Sequence, residues 1–205
     1  MNAIKLSGRI IDLKYSHVCA GEEFYSFQME NLRLSGVVDV IPCIIPKSLA
    51  DGLTGCEKAE ILGEVRSRNV IRENGKRGCD VFVFVKNVSE YSGVDVNAVS
   101  LYGIVCKEPW LRSTPKGREV AETILASNRD FVNRTDYIPI LAWQRAAQRL
   151  SRLPVGAHIA VEARLQSRTY GNGKGRTIEM SCYSLKEVES MGKEGTYEGN
   201  SNNDV

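Results

Sequence analysis

Histidine occurs only twice in this chain, at His17 and His158, which leaves little general-base chemistry to build on. No G-x-S-x-G nucleophile motif and no phosphate-cradling P-loop occurs either. An enzyme is therefore not expected. The six cysteines (Cys19, Cys43, Cys56, Cys79, Cys106 and Cys182) lack the close paired spacing of a zinc site. Most fall in apolar strand patterns, where a free thiol behaves as a small hydrophobe. That reading gives reduced core thiols, no metal and no cofactor. No apolar run reaches the roughly 20 residues of a membrane helix. The opening Met1-Asn2-Ala3-Ile4-Lys5 runs straight into a strand pattern, so no signal peptide is expected and the cytoplasm is the expected compartment.

What the chain does contain is a message stated twice. Asn2-Ala3-Ile4-Lys5-Leu6-Ser7-Gly8 restarts as Asn97-Ala98-Val99-Ser100-Leu101-Tyr102-Gly103. Asp39-Val40-Ile41-Pro42 returns as Asp136-Tyr137-Ile138-Pro139, Arg66-Ser67-Arg68 as Gln166-Ser167-Arg168, and Asn74-Gly75-Lys76 as Asn172-Gly173-Lys174. The matches keep their order at a domain-sized spacing, which implies duplication rather than a solenoid of short repeats. The 205 residues are then divided as an N-terminal unit (1–92), a short linker, a C-terminal unit (97–189) and a Gly- and Asn-rich disordered tail (190–205). The charge divides unevenly. The first unit balances 12 basic against 12 acidic residues, whereas residues 93–189 carry 14 basic, ten of them arginine, against 10 acidic. Such an excess suits a polyanion, and a guanidinium can pair phosphate or stack on a base.

Each unit reads as five strands with one short helix after the third. The first has strands at about 3–14, 23–31, 37–45, 57–70 and 79–90; the second at about 98–108, 117–127, 135–143, 157–170 and 176–188. In the fourth strand of the second unit Ile159, Val161, Ala163 and Leu165 alternate with Arg164, Gln166, Arg168 and Tyr170, the pattern of a half-buried strand. Ala142 to Leu153 shows a helical stripe of Ala146, Ala147, Leu150 and Leu153. Asn74-Gly75 and Asn172-Gly173 are two-residue hairpin signals. Gly8 and Gly103 suit a first strand that bends around a small barrel, and Pro42 and Pro139 imply a stretch without a ladder partner. The expected fold is all-β: two tandem five-stranded OB-fold barrels, each with a short helix between strands 3 and 4.

The second unit also resembles the bacterial single-stranded DNA-binding protein (SSB) family. The resemblance is carried in order by Leu101-x-Gly103, Arg112-x-Thr114-Pro115-x-Gly117, Asn128-Arg129, Asp136-Tyr137-Ile138-Pro139, Trp143-x-Arg145-x-Ala147, Gly156 and Arg164-Leu165-Gln166-Ser167-Arg168-x-Tyr170. It implies sequence-tolerant binding of single strands in replication, recombination or repair, close to the nucleoid. Members present four OB-folds per assembly, so a two-barrel chain reaches that number as a homodimer. The family's stacking positions carry over to Tyr137, Trp143, Phe131 and Tyr170. Many members end in an acidic peptide tipped by Pro and Phe that recruits replication proteins; here the end is Ser201-Asn202-Asn203-Asp204-Val205, which leaves that partner role open.

The residues support the same chemistry. A strand bound without regard to sequence needs cations along its backbone and flat rings for its bases. Tyr137 and Trp143, six residues apart, fall on one face of the third strand. Arg164, Arg168 and Tyr170 share a face of the fourth. Arg129, Phe131 and Arg134 sit in the loop before the third strand, Lys174 and Arg176 on the last hairpin, and Arg112, Lys116 and Arg145 within the resembling series. The first unit has Val40, Pro46 and Val70 in place of the rings and Glu64 in place of Arg164, keeping Arg66 and Arg68. Tyr25 and Phe27 read as core. That unit is expected to supply architecture, an oligomer contact or a weak extension of the track. Two other readings stay open: a primosomal-type accessory acting through protein contacts, and a single-stranded RNA binder.

Overall fold

A computed structural model describes residues 1–72, 75, 77–129, 133–170 and 175–188; of Tyr170 and Gly175 it describes the backbone alone. The N-terminal half contains β1 (Asn2–Cys19), β2 (Glu22–Leu32), β3 (Val38–Pro46), β4 (Lys58–Ile71) and β5 (Arg77–Ser89), with the single turn α1 (Lys47–Ala50) after β3. The C-terminal half contains β6 (Asn97–Val105), β7 (Trp110–Ser113), β8 (Glu119–Asn128), β9 (Thr135–Trp143), α2 (Arg145–Leu150), β10 (His158–Tyr170) and β11 (Gly175–Glu187). The strands run in the order β2-β3-β5-β4-β1-β6-β10-β11-β9-β8-β7, with two further pairings, β2–β1 and β6–β8. Those two pairings close each half into a five-stranded barrel, and β1 lies antiparallel to β6 to join the barrels in one sheet.

Closure depends on the first strand changing partners. Gly8 lies where β1 leaves β4 (Gly8↔Ala59) and joins β2 (Arg9↔Glu30). A Cβ on Gly8 would stand 2.0 Å from the Glu30 carbonyl oxygen, and one on Gly103 would stand 2.9 Å from that of Ala126, so both positions exclude any side chain. Pro42 and Pro139 each lie one residue before their strand acquires its parallel partner, at Cys43↔Val83 and Ile140↔Met180. A missing N–H is tolerated there.

Four expectations need correction. The first strand of the C-terminal barrel is broken, ending at Val105 and resuming as β7 at Trp110, because Pro109 cannot donate to a ladder. Helix α2 covers six residues rather than twelve, since Ala142 and Trp143 belong to β9 and Pro154 follows. The β4–β5 connection spans five residues between Ile71 and Arg77, with Gly75 donating to the Arg72 carbonyl; it is not a two-residue turn. Its counterpart at Asn172-Gly173, like the tail, falls outside the described residues. Of the six free cysteines only Cys43 and Cys182 are buried, while Cys19, Cys56 and Cys106 are exposed. Burial raises both core thiols, Cys182 to about 12. Among the described residues no helix is long and apolar enough to cross a membrane.

The repeated motifs prove to be the joint between the halves. Asp39, fully buried, accepts both arms of Arg33 (2.5 Å each) and the backbone N–H of Ser167 in the other barrel (2.7 Å). Asp136, 1% exposed, accepts from Arg129 (2.7 and 2.8 Å) and from the N–H of Ser67 (2.8 Å). The serine hydroxyls then accept the next N–H groups, Val40 to Ser167 and Tyr137 to Ser67. Each half therefore offers a carboxylate to the other half's fourth strand. The linker is pinned as well: Ser7 N–H donates to the Val96 carbonyl and Val96 N–H to the Ser7 hydroxyl.

Candidate nucleic-acid interface

Along β9 exposure alternates strictly. Asp136, Ile138, Ile140 and Ala142 are buried, and Tyr137, Pro139, Leu141 and Trp143 face outward. Tyr137 is 52% exposed. Trp143 is half-buried, and its indole Nε1 donates to the Ser181 hydroxyl at 3.1 Å. Six strand residues separate the two rings by about 20 Å. Neighbouring strands bring cations alongside. Ser181 is level with Leu141 on one side and with Arg164 on the other, so Trp143 leans toward the strand position opposite Arg164. In the same transverse row Leu141 pairs with Glu122, and Glu122 with Trp110. Trp110, 61% exposed, is an aromatic the spacing arguments passed over. Arg112, two residues on with its guanidinium 5.5 Å from that ring, was the available signal.

The other expected residues divide into groups. Lys116, Arg134, Arg145, Arg164, Arg168 and Arg176 are exposed. Lys116 rides the tight turn closed by Gly117 N–H on the Thr114 carbonyl. Arg134 ends the loop before β9, and Arg145 opens α2. Arg164 lies beside Gln166, whose amide oxygen, turned toward the guanidinium, accepts from Nη2 at 2.7 Å. Arg168 is 3.0 Å from Glu179. Arg112 is held by Glu122 at 2.5 and 2.9 Å, leaving one face free for Trp110. Phe131, Lys174 and the Tyr170 side chain lie outside the described residues.

Arg129 lies at the joint. Its Nε and Nη2 both donate to Asp136, its side chain is 17% exposed, and this hydrogen bond raises its affinity for its proton. The guanidinium is thus engaged on its fork edge at the joint between the barrels. The matching pair Arg33–Asp39 in the first half was the sequence signal for this role.

In the N-terminal barrel Val40, Pro46 and Val70 are half-buried at the ring positions. Glu64, where the other half has Arg164, is buried and receives Lys86 and Arg66 (2.9 Å), with Arg66 also 3.7 Å over the Phe84 ring. Burial pushes the Glu64 carboxyl upward, but the hydrogen bonds from Lys86 and Arg66 outweigh it and hold the group below its ordinary 4.5. A carboxyl with a depressed folded value stabilises the fold above its unfolded value, and that contribution is lost as pH falls through the folded one. Glu64→Gln is therefore expected to lower stability at pH 7 but to match the parent once the pH has fallen below the folded value. Urea denaturation at both pH values checks this.

Two closed OB-type barrels joined through their first strands, one bearing exposed rings beside arginines, define a binding protein of the OB-fold class. Comparison with known proteins finds relatives. The profile described as "Single-strand binding protein family" matches residues 96–189. Single-stranded DNA-binding protein A of Bacillus subtilis is 36% identical over 116 residues, covering 52% of this chain and 67% of that protein. The single-stranded DNA-binding protein of Halalkalibacterium halodurans is 34% identical over 118 residues, covering 53% and 69%. This chain belongs to the single-strand binding protein family. Its fold matches the wild-type single-stranded DNA-binding protein from Thermus aquaticus with a TM-score of 0.74 at 20% identity, over 92% of this chain and 93% of that one. A deletion mutant of the same protein gives 0.73 over 95% and 98%, so the likeness extends through both barrels.

Proposed function

We propose that this protein binds single-stranded DNA irrespective of base sequence and covers strands exposed during replication, recombination or repair. Residues 97–189 form the binding unit, and residues 1–92 supply mainly architecture. Two copies of the chain bring the number of barrels to four, and the protein works in the cytoplasm at the nucleoid. The observation that carries this reading is the outward face of β9, where Tyr137 stands 52% exposed in line with Trp143, with Arg164 of β10 across the intervening β11. Rings presented to solvent gain nothing by exposure and stack on any base, at about 1–3 kcal/mol each. The names of the relatives in Bacillus subtilis and Halalkalibacterium halodurans support the same ligand.

Titration with an oligothymidylate between 50 and 200 mM salt tests it. Four cations on the track (Lys116, Arg145, Arg164 and Arg176) give an expected slope of log K against log salt of about −3, at about −0.7 for each phosphate neutralised. A slope near zero, or micromolar or weaker binding at low salt, overturns the reading in favour of a role through protein contacts. A matched ribo-oligomer that displaces the deoxy strand mole for mole transfers the function to RNA.

A further inference from the structure

Both barrels interrupt the ladder between their last two strands at the same place. In the C-terminal half Glu162 is level with Ser184 and Ala163 with Cys182, so Tyr183 is an extra residue with no partner on β10. In the N-terminal half Leu62 is level with Asn87 and Gly63 with Val85, which leaves Lys86 as the extra residue. A bulge of this kind bends its strand and re-aims one side chain. Here it turns Tyr183 out of the barrel: Cys182 before it is buried, whereas Tyr183 is 61% exposed. A single exposed ring is ordinary on a protein surface, so its neighbours decide what it is for.

On one side stands Trp143. Strand β11 runs parallel to β9 with Cys182 level with Ala142, which brings the next residues, Tyr183 and Trp143, level on adjacent strands about 5 Å apart. On the other side stand Glu162 and Arg164 of β10. Partial burial first, and then Glu162, hold the Tyr183 phenol above its ordinary value, while Arg164 pulls it down. Glu162 is engaged by the Ser100 hydroxyl at 2.8 Å. The partner of Arg164 is the neutral amide of Gln166, which leaves its charge for an anion. The first barrel uses the same bulge differently. There Lys86 closes onto Glu64, which stands where the other half has Arg164. One bulge thus satisfies itself with an ion pair, and the other holds an open ring between an indole and a guanidinium.

We propose that Tyr183 is a further base platform of the C-terminal barrel, on which the base next to the one on Trp143 stacks while Arg164 takes the phosphate between them. The proposal rests on the single-strand reading above and deepens it with a residue that lies outside the resembling series of motifs. The spacing of adjacent strands, about 5 Å, exceeds the rise of about 3.4 Å between stacked bases. Two successive bases seated on these rings are therefore drawn apart, each on its own platform, with the backbone between them stretched past the guanidinium.

Anisotropy of a labelled oligothymidylate with the full chain tests it. Tyr183→Leu and Tyr183→Thr remove the flat face and are expected to bind about tenfold more weakly, whereas Tyr183→Phe binds like the parent. The slope of log K against log salt stays at the parent's value in all three, since a ring neutralises no phosphate. Their melting curves stay too, because the side chain is mostly in solvent. Tyr183→Trp in a Trp110→Phe, Trp143→Phe background places the sole indole on the bulge, and the bound strand should quench it. Parent-like affinity of the Leu and Thr variants, or an indole at 183 that stays bright while the strand is bound, overturns the proposal and leaves the rest of the track standing. Weaker binding that comes with a lowered melting temperature, or that Tyr183→Phe fails to restore, makes the residue structural and overturns it as well. A parent that binds no strand overturns the single-strand reading, and this proposal falls with it.

Discussion

Replacing Asp136 with alanine is expected to lower the melting temperature by about 10 °C, while leaving the fold intact at room temperature. The carboxylate is 1% exposed and accepts two hydrogen bonds from Arg129 and one from the Ser67 N–H. Its removal strands a guanidinium and a backbone donor at the joint. Breaking one side of a buried pair costs about 3–5 kcal/mol, chiefly because the surviving charge is left without compensation. In a chain of this size each kcal/mol moves the midpoint by about 2–4 °C. Asp39→Ala should behave alike, since Arg33 and Ser167 repeat the arrangement. Arg129→Met combined with Asp136→Leu should recover most of the loss, because no buried charge remains. Calorimetry of the three variants checks this. An Arg129→Ala protein that melts like the parent but binds DNA much more weakly would return Arg129 to the binding track.

Tyr137→Ala with Trp143→Ala is expected to weaken binding of an oligothymidylate by about 10² to 10⁴-fold, the combined worth of two base stacks at about 1–3 kcal/mol each. The two rings differ in what else they do. Tyr137 is mostly in solvent, so its removal should cost affinity and leave the melting curve unchanged. Trp143 is half-buried and bonded to Ser181, so its removal should cost some stability too. Pro46→Ala, at the matching position of the first barrel, serves as the control and should leave affinity unchanged. Anisotropy at constant salt separates these outcomes. Parent-like affinity in the Tyr137→Ala protein would remove the outer face of β9 from the site.

The architecture was legible because each barrel repeats simple local signals. Alternation in 157–170 located β10 to within a residue, and the glycines and prolines of β1, β3, β6 and β9 sit where the barrel bends or lacks a partner. The face of β9 was legible for the same reason, since period two needs no tertiary knowledge. What escaped depends on the other half of the molecule. Asp39 and Asp136 stood out as a repeat, but their partners Ser167 and Ser67 lie more than sixty residues away in the opposite barrel. Arg129 was therefore read as a ligand with no sign of its bond to Asp136 at the joint. Glu64 was rightly separated from its cationic counterpart, yet the clustering of Lys86, Arg66 and Phe84 around it arises only from pairing with β5. Trp110 was hidden by the break after Val105, which moves it onto an added strand beside β8.

Stacking of bases on the outer face of the C-terminal barrel is tested directly by one titration. The chain has two tryptophans, so Trp110→Phe leaves Trp143 as the sole indole reporter. Adding an oligothymidylate at low salt should quench its emission strongly and saturate at a fixed strand-to-protein ratio. Emission that stays unchanged while anisotropy shows the strand to be bound would place the DNA elsewhere on the molecule.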